Sequence, residues 1–309
     1  MASSWFRQKR MLIPLALAAV AIVLALALGV GLGLGLRKRT SPSSPSLPPA
    51  STPLSDDGTI WQPVIGMSWQ IVLLNPLSRE TIDKLDSDWR NTAVFDIDLF
   101  TNPPSTFEKL RAAGKKVICY FSAGSYEPGR PDSSNFAKED IGKELEGWPG
   151  EFWLNISSPV VRDIMVKRMD LAVEKGCDAV DPDNVDGYDN ENGLGLTRDA
   201  SVEFMLFLAS AARSRKLSIG LKNSGAVVDD VVEEVQFAVT EQCSQYQECS
   251  GYRPFVDATK PVFRIEYLEG APEISLVQKE KARVCGDKDA QGFSTLIKEM
   301  DLGEWVESC

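Results

Sequence analysis

Beyond residue 58 the chain repeats one hydrophobic rhythm: a short run of β-branched and aromatic residues, a turn, then a stretch with apolar side chains every three or four positions. The short runs predict strands over Gln70–Leu74, Ala93–Asp98, Lys116–Ser122, Ala179–Asp183, Ser218–Asn223, Phe237–Gln242, Pro261–Tyr267 and Gly292–Ile297. Helix signals fall between them. Ser105 and Glu108 have capping-box spacing, with Gly114 as a stop. Ser158-Pro159 is a cap and first-turn pair ahead of the stripe Val161, Ile164, Met165 and Ala172, which ends at Gly176. Val202, Met205, Leu206, Ala209 and Ala212 form another helical stripe. Eight strands alternating with helices over residues 58–309 predict an α/β fold, a (β/α)8 TIM barrel, with a doubly wound open sheet as the alternative.

The rhythm is absent upstream. Met11–Leu36 contains no charged or amide side chain, and as a helix it would extend about 39 Å. That exceeds the roughly 30 Å hydrocarbon core of a bilayer, so the segment predicts a single transmembrane signal anchor after a cytoplasmic tail of residues 1–10; a cleaved signal peptide is the alternative. Residues 37–57 form a linker rich in Ser and Pro, the composition of an extended stalk. Basic triplets flank the span on both sides, Arg7, Lys9, Arg10 and Arg37, Lys38, Arg39, so charge alone does not orient it. Six cysteines, an even number, all lie beyond the stalk and fit an oxidising compartment. Cys243 with Cys249 is the tightest pairing, and Cys285 with Cys309 would tie down the tail. Cys119 and Cys177 sit in apolar surroundings that suit buried free thiols equally well. With the sequon Asn155-Ile156-Ser157, these features predict a single-pass type II protein of the cell membrane with its large domain extracellular.

Charge then narrows the chemistry. The 309 residues hold 33 basic and 44 acidic side chains and no histidine. The first 39 residues carry six of the basic ones and no acid, leaving the rest at 27 against 44, a net of −17. Such a domain is a poor partner for nucleic acid and suits a cationic ligand. Without histidine, Ser-His-Asp and Cys-His catalysis and His-bearing metal sites are excluded. The acids cluster where barrels do their chemistry, at the C-terminal ends of strands: Asp96 and Asp98, Asp181 and Asp183, Glu241, and Glu266. Two carboxyl groups flanking a bond suffice for glycoside hydrolysis, so no cofactor is expected. Trp69, Tyr120, Tyr126, Tyr188 and Tyr267 are candidates to stack on sugar faces. Lys222 and Asn223 end the fifth strand, where Lys222 either touches substrate or balances neighbouring acids. The acid-rich run 181–189 does not make an EF-hand, because with Gly187 at position six Pro182 falls at position one, and no metal is expected.

Four blocks, in order, carry a family resemblance: Tyr120-Phe121-Ser122-Ala123-Gly124-Ser125-Tyr126-Glu127 with Arg130-Pro131-Asp132; Gly147-Trp148-Pro149-Gly150-Glu151; Gly176-Cys177-Asp178-Ala179-Val180-Asp181-Pro182-Asp183-Asn184-Val185-Asp186; and Glu241-Gln242-Cys243. Over about Trp61 to Tyr267 the chain resembles glycoside hydrolase family 114. The resemblance implies a TIM-barrel endo-α-1,4-polygalactosaminidase acting on galactosamine-rich polysaccharide, with Asp183 and Glu241 as the catalytic pair and Asp181 as the competitor to Asp183. Asp183 is the expected nucleophile and Glu241 the expected acid/base. Asp181, Asp96, Asp98, Trp69, Tyr120, Tyr126, Tyr188, Lys222, Asn223 and Glu266 are the expected substrate contacts. Three positions depart from the family pattern: Asn155 where Asp is common, Thr240 where Asn is common, and Ala179 where Gly is frequent. The rival expectation is a non-catalytic carbohydrate-binding surface protein, which would retain the polymer without shortening it.

Overall fold

The computed structural model describes residues 59–309, and the expected tail, anchor and stalk lie outside the described residues. Eight parallel strands follow in chain order: β1 (Trp69–Val72), β2 (Val94–Asp98), β3 (Lys116–Ser122), β4 (Ala179–Asp183), β5 (Ser218–Lys222), β6 (Phe237–Glu241), β7 (Val262–Tyr267) and β8 (Ser294–Lys298). Each expected strand is present with its ends moved by no more than two residues. The order never reverses, so the sheet has no switch point and is not doubly wound. The fold is a barrel-like α/β architecture. A short antiparallel strand, Glu307–Ser308, adds to β8. Across the seam between β8 and β1, Trp69 Nε1 donates to Ser294 O at 3.0 Å and Lys298 Nζ to Gln70 Oε1 at 2.9 Å. The Leu73 and Leu74 amides both reach Leu302 O, at 3.0 and 3.4 Å.

Alternation along each strand divides the apolar side chains into two cores. Ile71, Val94, Ile118, Ala179, Val239 and Ile265 fill the inside of the curled sheet, and Phe95, Ile97, Phe121, Val180 and Leu221 pack outward with Met165, Phe204 and Leu208 of the helices. Gly220 serves the inner core, because a Cβ there would lie 2.3 Å from the Phe237 ring.

The helix Pro159–Lys175 forms as its signals predict: the Ser158 side chain accepts from the Val160 amide, and Gly176 ends it at φ 89°. In the helix Arg198–Ser214, Met205, Ala209 and Ala212 are buried, whereas Leu206 is exposed and Phe204 and Leu208 take core positions. The capping box at Ser105 does not form. That helix starts at Pro104, whose missing N–H needs no cap, so Ser105 already lies inside it. Among the described residues no helix is long and apolar enough to cross a membrane.

All six cysteines are paired, Cys119–Cys177, Cys243–Cys249 and Cys285–Cys309. Cys119 and Cys177 are therefore not free thiols. The β3–β4 ladder aligns Ile118 with Ala179, which brings the two cysteine Cα atoms to 6.0 Å. A second sheet, which the alternation does not announce, pairs Ser125–Tyr126 and Ile141–Glu144 antiparallel to Phe152–Leu154. This insertion between β3 and the helix Pro159–Lys175 supplies one wall of the cleft described next.

Candidate active site

Strands β4, β5 and β6 each end on a charged residue, Asp183, Lys222 and Glu241. In each case the next residue, Asn184, Asn223 or Gln242, is left-handed, with φ of 60°, 50° and 58°. An αL residue turns the chain off the strand direction, so the last side chain stands at the rim, and Asn tolerates this conformation better than most residues. The turn at Asn184 is tight: a Cβ on Gly124 would lie 1.8 Å from the Asn184 carbonyl oxygen, so only glycine fits there. The β4–β5 ladder extends through Ala179 and Val180 only, because Pro182 has no N–H to continue it, whereas β4 stays paired to β3 through Asp183.

These three side chains form one ion-paired unit. Lys222 Nζ lies 3.1 Å from Asp183 Oδ2 and 3.0 Å from Glu241 Oε2, with the lysine side chain only 2% exposed. Asp183 also accepts from Tyr120 OH at 2.9 Å and from the Asn184 amide at 2.8 Å. Asn223 Nδ2 donates to Glu241 Oε2 at 2.9 Å, its Oδ1 accepts the Glu241 amide, and Tyr267 OH donates to Glu241 Oε1. Burial pushes the Glu241 carboxyl up, but Lys222, Tyr267 and Asn223 together outweigh it and hold the group below its usual range. Burial likewise works against the Lys222 ammonium, and Asp183, Glu241 and Asp181 hold it well above an ordinary lysine. Lys222 thus balances two neighbouring acids from a position that also lines the cleft.

One residue pair deeper, Asp96 and Asp181 are fully buried, and no donor reaches any of their four oxygens. The charge of each carboxyl disfavours ionisation of the other, so the pair resists holding two negative charges. Burial raises Asp96 well above the usual carboxylate range and Asp181 to about 7.

A cleft of about 350 Å3 opens above this unit. Of the expected site residues, Asp98, Tyr120, Asp183, Lys222, Asn223 and Glu241 line it. The others lie elsewhere. Trp69 packs on Phe263 in the inner core, Tyr126 on Phe136 and Phe152, and Tyr188 hydrogen-bonds Ser224. Glu266 accepts the Ser244 amide at 2.8 Å beside Arg264. Further lining comes from Glu127, Arg130, Trp148 and Glu151 of the insertion, from Asn184 and Asp186, and from Met300, Asp301 and Leu302. Arg130 pairs with Glu127 at 2.5 Å and Asp98 at 2.8 Å. Burial and the neighbouring Glu127 charge raise Glu151 to about 7, and burial with Asp183 raises Asp186 to about 6. The signal for these wall residues lay in the blocks Glu127…Arg130 and Trp148-Pro149-Gly150-Glu151. Cys243, Cys249 and Glu266 cluster closely enough to suggest a metal, but the two sulfurs are bonded to each other and offer no thiolate.

Paired carboxylates across a cleft at the C-terminal rim of a barrel-like sheet are the equipment of a glycosidase. Residues 50–309 match the model of the glycoside-hydrolase family GH114, and the chain belongs to that family. Among solved structures it is similar to Aspergillus fumigatus Ega3 in complex with galactosamine, at 50% identity and a TM-score of 0.75, covering 81% of this chain and 98% of that one. The glycoside hydrolase domain of PelA from Pseudomonas aeruginosa shares the fold at 13% identity and a TM-score of 0.63, covering 78% and 98%. An uncharacterized protein of Deinococcus radiodurans is 25% identical over 203 residues, 59% of this chain and 66% of that relative, just under two thirds of its length.

Proposed function

We propose that this glycosidase is an endo-acting hydrolase of α-1,4-galactosaminidic linkages in galactosamine-rich, cationic polysaccharide. One observation carries the substrate class: seven carboxylates, Asp98, Glu127, Glu151, Asp183, Asp186, Glu241 and Asp301, face two cations in the cleft, and both cations are already engaged by those acids. A polymer of amino sugars supplies the missing positive charge. The likeness to a structure bound to galactosamine supports the same reading.

Asp183 is the nucleophile and Glu241 the acid/base in this reading. The Asp183 carboxylate attacks the anomeric carbon while the Glu241 proton passes to the departing glycosidic oxygen; that C–O bond breaks and a glycosyl ester forms. Water then attacks the ester, gives its proton to Glu241 and frees Asp183. Because one nitrogen sits at 3.1 and 3.0 Å from the two carboxylates, the oxygens it bridges are at most about 6 Å apart. That separation suits the roughly 5–5.5 Å of a retaining pair better than the 6.5–9.5 Å of an inverting one.

Met11–Leu36 would anchor the chain with the domain outside, a topology that three disulfides favour. The purified protein is expected to shorten galactosamine polymer, and Asp183→Asn or Glu241→Gln to lower turnover by about a thousandfold or more with the fold intact. On intact cells the same activity should reach polymer added outside and vanish under external protease. Undiminished turnover in both variants would remove the catalytic assignment, and protease-resistant activity would remove the topology.

A further inference from the structure

A second and larger cavity, about 740 Å3, lies at the opposite end of the sheet from the cleft. Its wall includes Lys116 at the start of β3, Asp178 just before β4 and Leu217 just before β5, with Thr59–Gln62 along one side. The reaction described above uses none of these residues. In a chain with an excess of acid, this wall is basic: Arg111, Lys115, Lys116, Arg215 and Lys216 stand against the single carboxylate of Asp178.

The partners of these cations separate them into two groups. Lys116 pairs with Asp178 at 2.7 Å, and Lys115 Nζ donates to the Trp89 and Arg90 carbonyls at 2.8 and 2.9 Å. Arg111 and Lys216 have no ion pair or side-chain hydrogen bond among the described residues. Arg215, 1% exposed, gives Nε to Asp170 and Nη1 to Ala211 and Ser214, but its Nη2 is buried without an acceptor. Arg111 and Lys216 are thus the cations of this wall left without a counter-charge, and an Arg fork matches phosphate geometry. Lys116 Nζ lies 5.9 Å from the centre of the Trp61 ring, so an aromatic surface borders the same space.

We infer that this cavity is an anion site for a phosphate group, held by Arg111 and Lys216. Two sources share this chemistry, free phosphate and a glycerophosphate headgroup. The second is available to a chain whose first described residues, Thr59–Gln62, border the cavity and follow a predicted membrane anchor in sequence.

The test is calorimetric titration of the full chain in detergent with inorganic phosphate, against chloride at equal ionic strength. The comparison variant is Arg111→Gln with Lys216→Gln; Lys216 is left-handed at φ 59°, a conformation that Gln242 and Gln247 adopt in this same fold. Wild type is expected to bind phosphate and not chloride, the double variant to bind it about tenfold more weakly or worse, and hydrolysis to be equal in both. Repeating the titration with glycerol 3-phosphate separates the sources: tighter binding than phosphate assigns the site to a headgroup, and equal or weaker binding to the free ion. Phosphate heats that match chloride, or a double variant that binds as wild type does, would overturn the site.

Discussion

A general acid must hold its proton before the glycosidic bond breaks, yet Glu241 sits among three donors that favour its ionised form. Lys222, Tyr267 and Asn223 together outweigh burial and keep the group low. If Glu241 is the acid of the proposed reaction, the competent fraction of enzyme falls as pH rises, so the basic limb of kcat/KM lies on the acid side of neutrality. Tyr267→Phe removes one donor to Oε1, which raises the Glu241 carboxyl and moves that limb to higher pH. A pH profile of both proteins checks this; an unmoved limb in a folded variant would hand the acid role to another cleft carboxyl, Glu151 first. Asp183, Lys222 and Glu241 were legible in the sequence because each ends a strand of recognisable pattern. The left-handed turns after them were not, since nothing in Gln242 signals αL as glycine would. Nor could the sequence tell that Asp96 and Asp181 would be sealed beneath the site while Asp98 and Asp183 line the cleft, because alternation gives the face of a strand and not the depth along it.

At the scale of elements, the eight parallel strands were readable because each buries both faces and so concentrates β-branched and aromatic residues between turn signals. The insertion was not readable as structure. Its strands have two to four residues, too short for a period, and its residues became visible only through the blocks of the family resemblance. The disulfides divide between these levels. Cys119–Cys177 spans 58 residues and ties β3 to the start of β4, whereas Cys243–Cys249 spans 6 and begins two residues after Glu241. Constraint of the unfolded chain then predicts that Cys119→Ser with Cys177→Ser costs about 4 kcal/mol of stability, and Cys243→Ser with Cys249→Ser about 2 kcal/mol. Catalysis is expected to order them the other way, because the short bridge closes the turn in which Gln242 and Ser244 follow Glu241. Denaturant midpoints and turnover of the two double variants measure both orders, and equal turnover would show that the bridge beside Glu241 does not position it.

For the whole molecule, crowding acids into one cleft leaves a signature in stability against pH. Glu151 and Asp181 are raised to about 7 and Asp186 to about 6, in each case first by burial, from ordinary values of 4.5 and 3.8. Between pH 5 and 7 the folded chain therefore keeps protons that the unfolded chain has already lost. Stability falls as pH rises through that window, by on the order of 2–4 kcal/mol once partial exposure and mutual coupling are discounted. Lys298, lowered by burial to about 7 from 10.5, acts on the far side of the window, where its release of a proton relieves the fold as pH climbs further. A thermal midpoint that drops from pH 5 to pH 7 is the expected result, with a shallower slope in the Glu151→Gln, Asp186→Asn protein. The same charge makes ligand binding pH-dependent: an amino-sugar oligomer offsets more carboxylate charge at pH 7 than at pH 5, so it should lift the midpoint further at pH 7. A midpoint that rises over this range, or a slope left undiminished by removal of both acids, would mean that the cleft does not hold Glu151 and Asp186 in the protonated form that their burial demands.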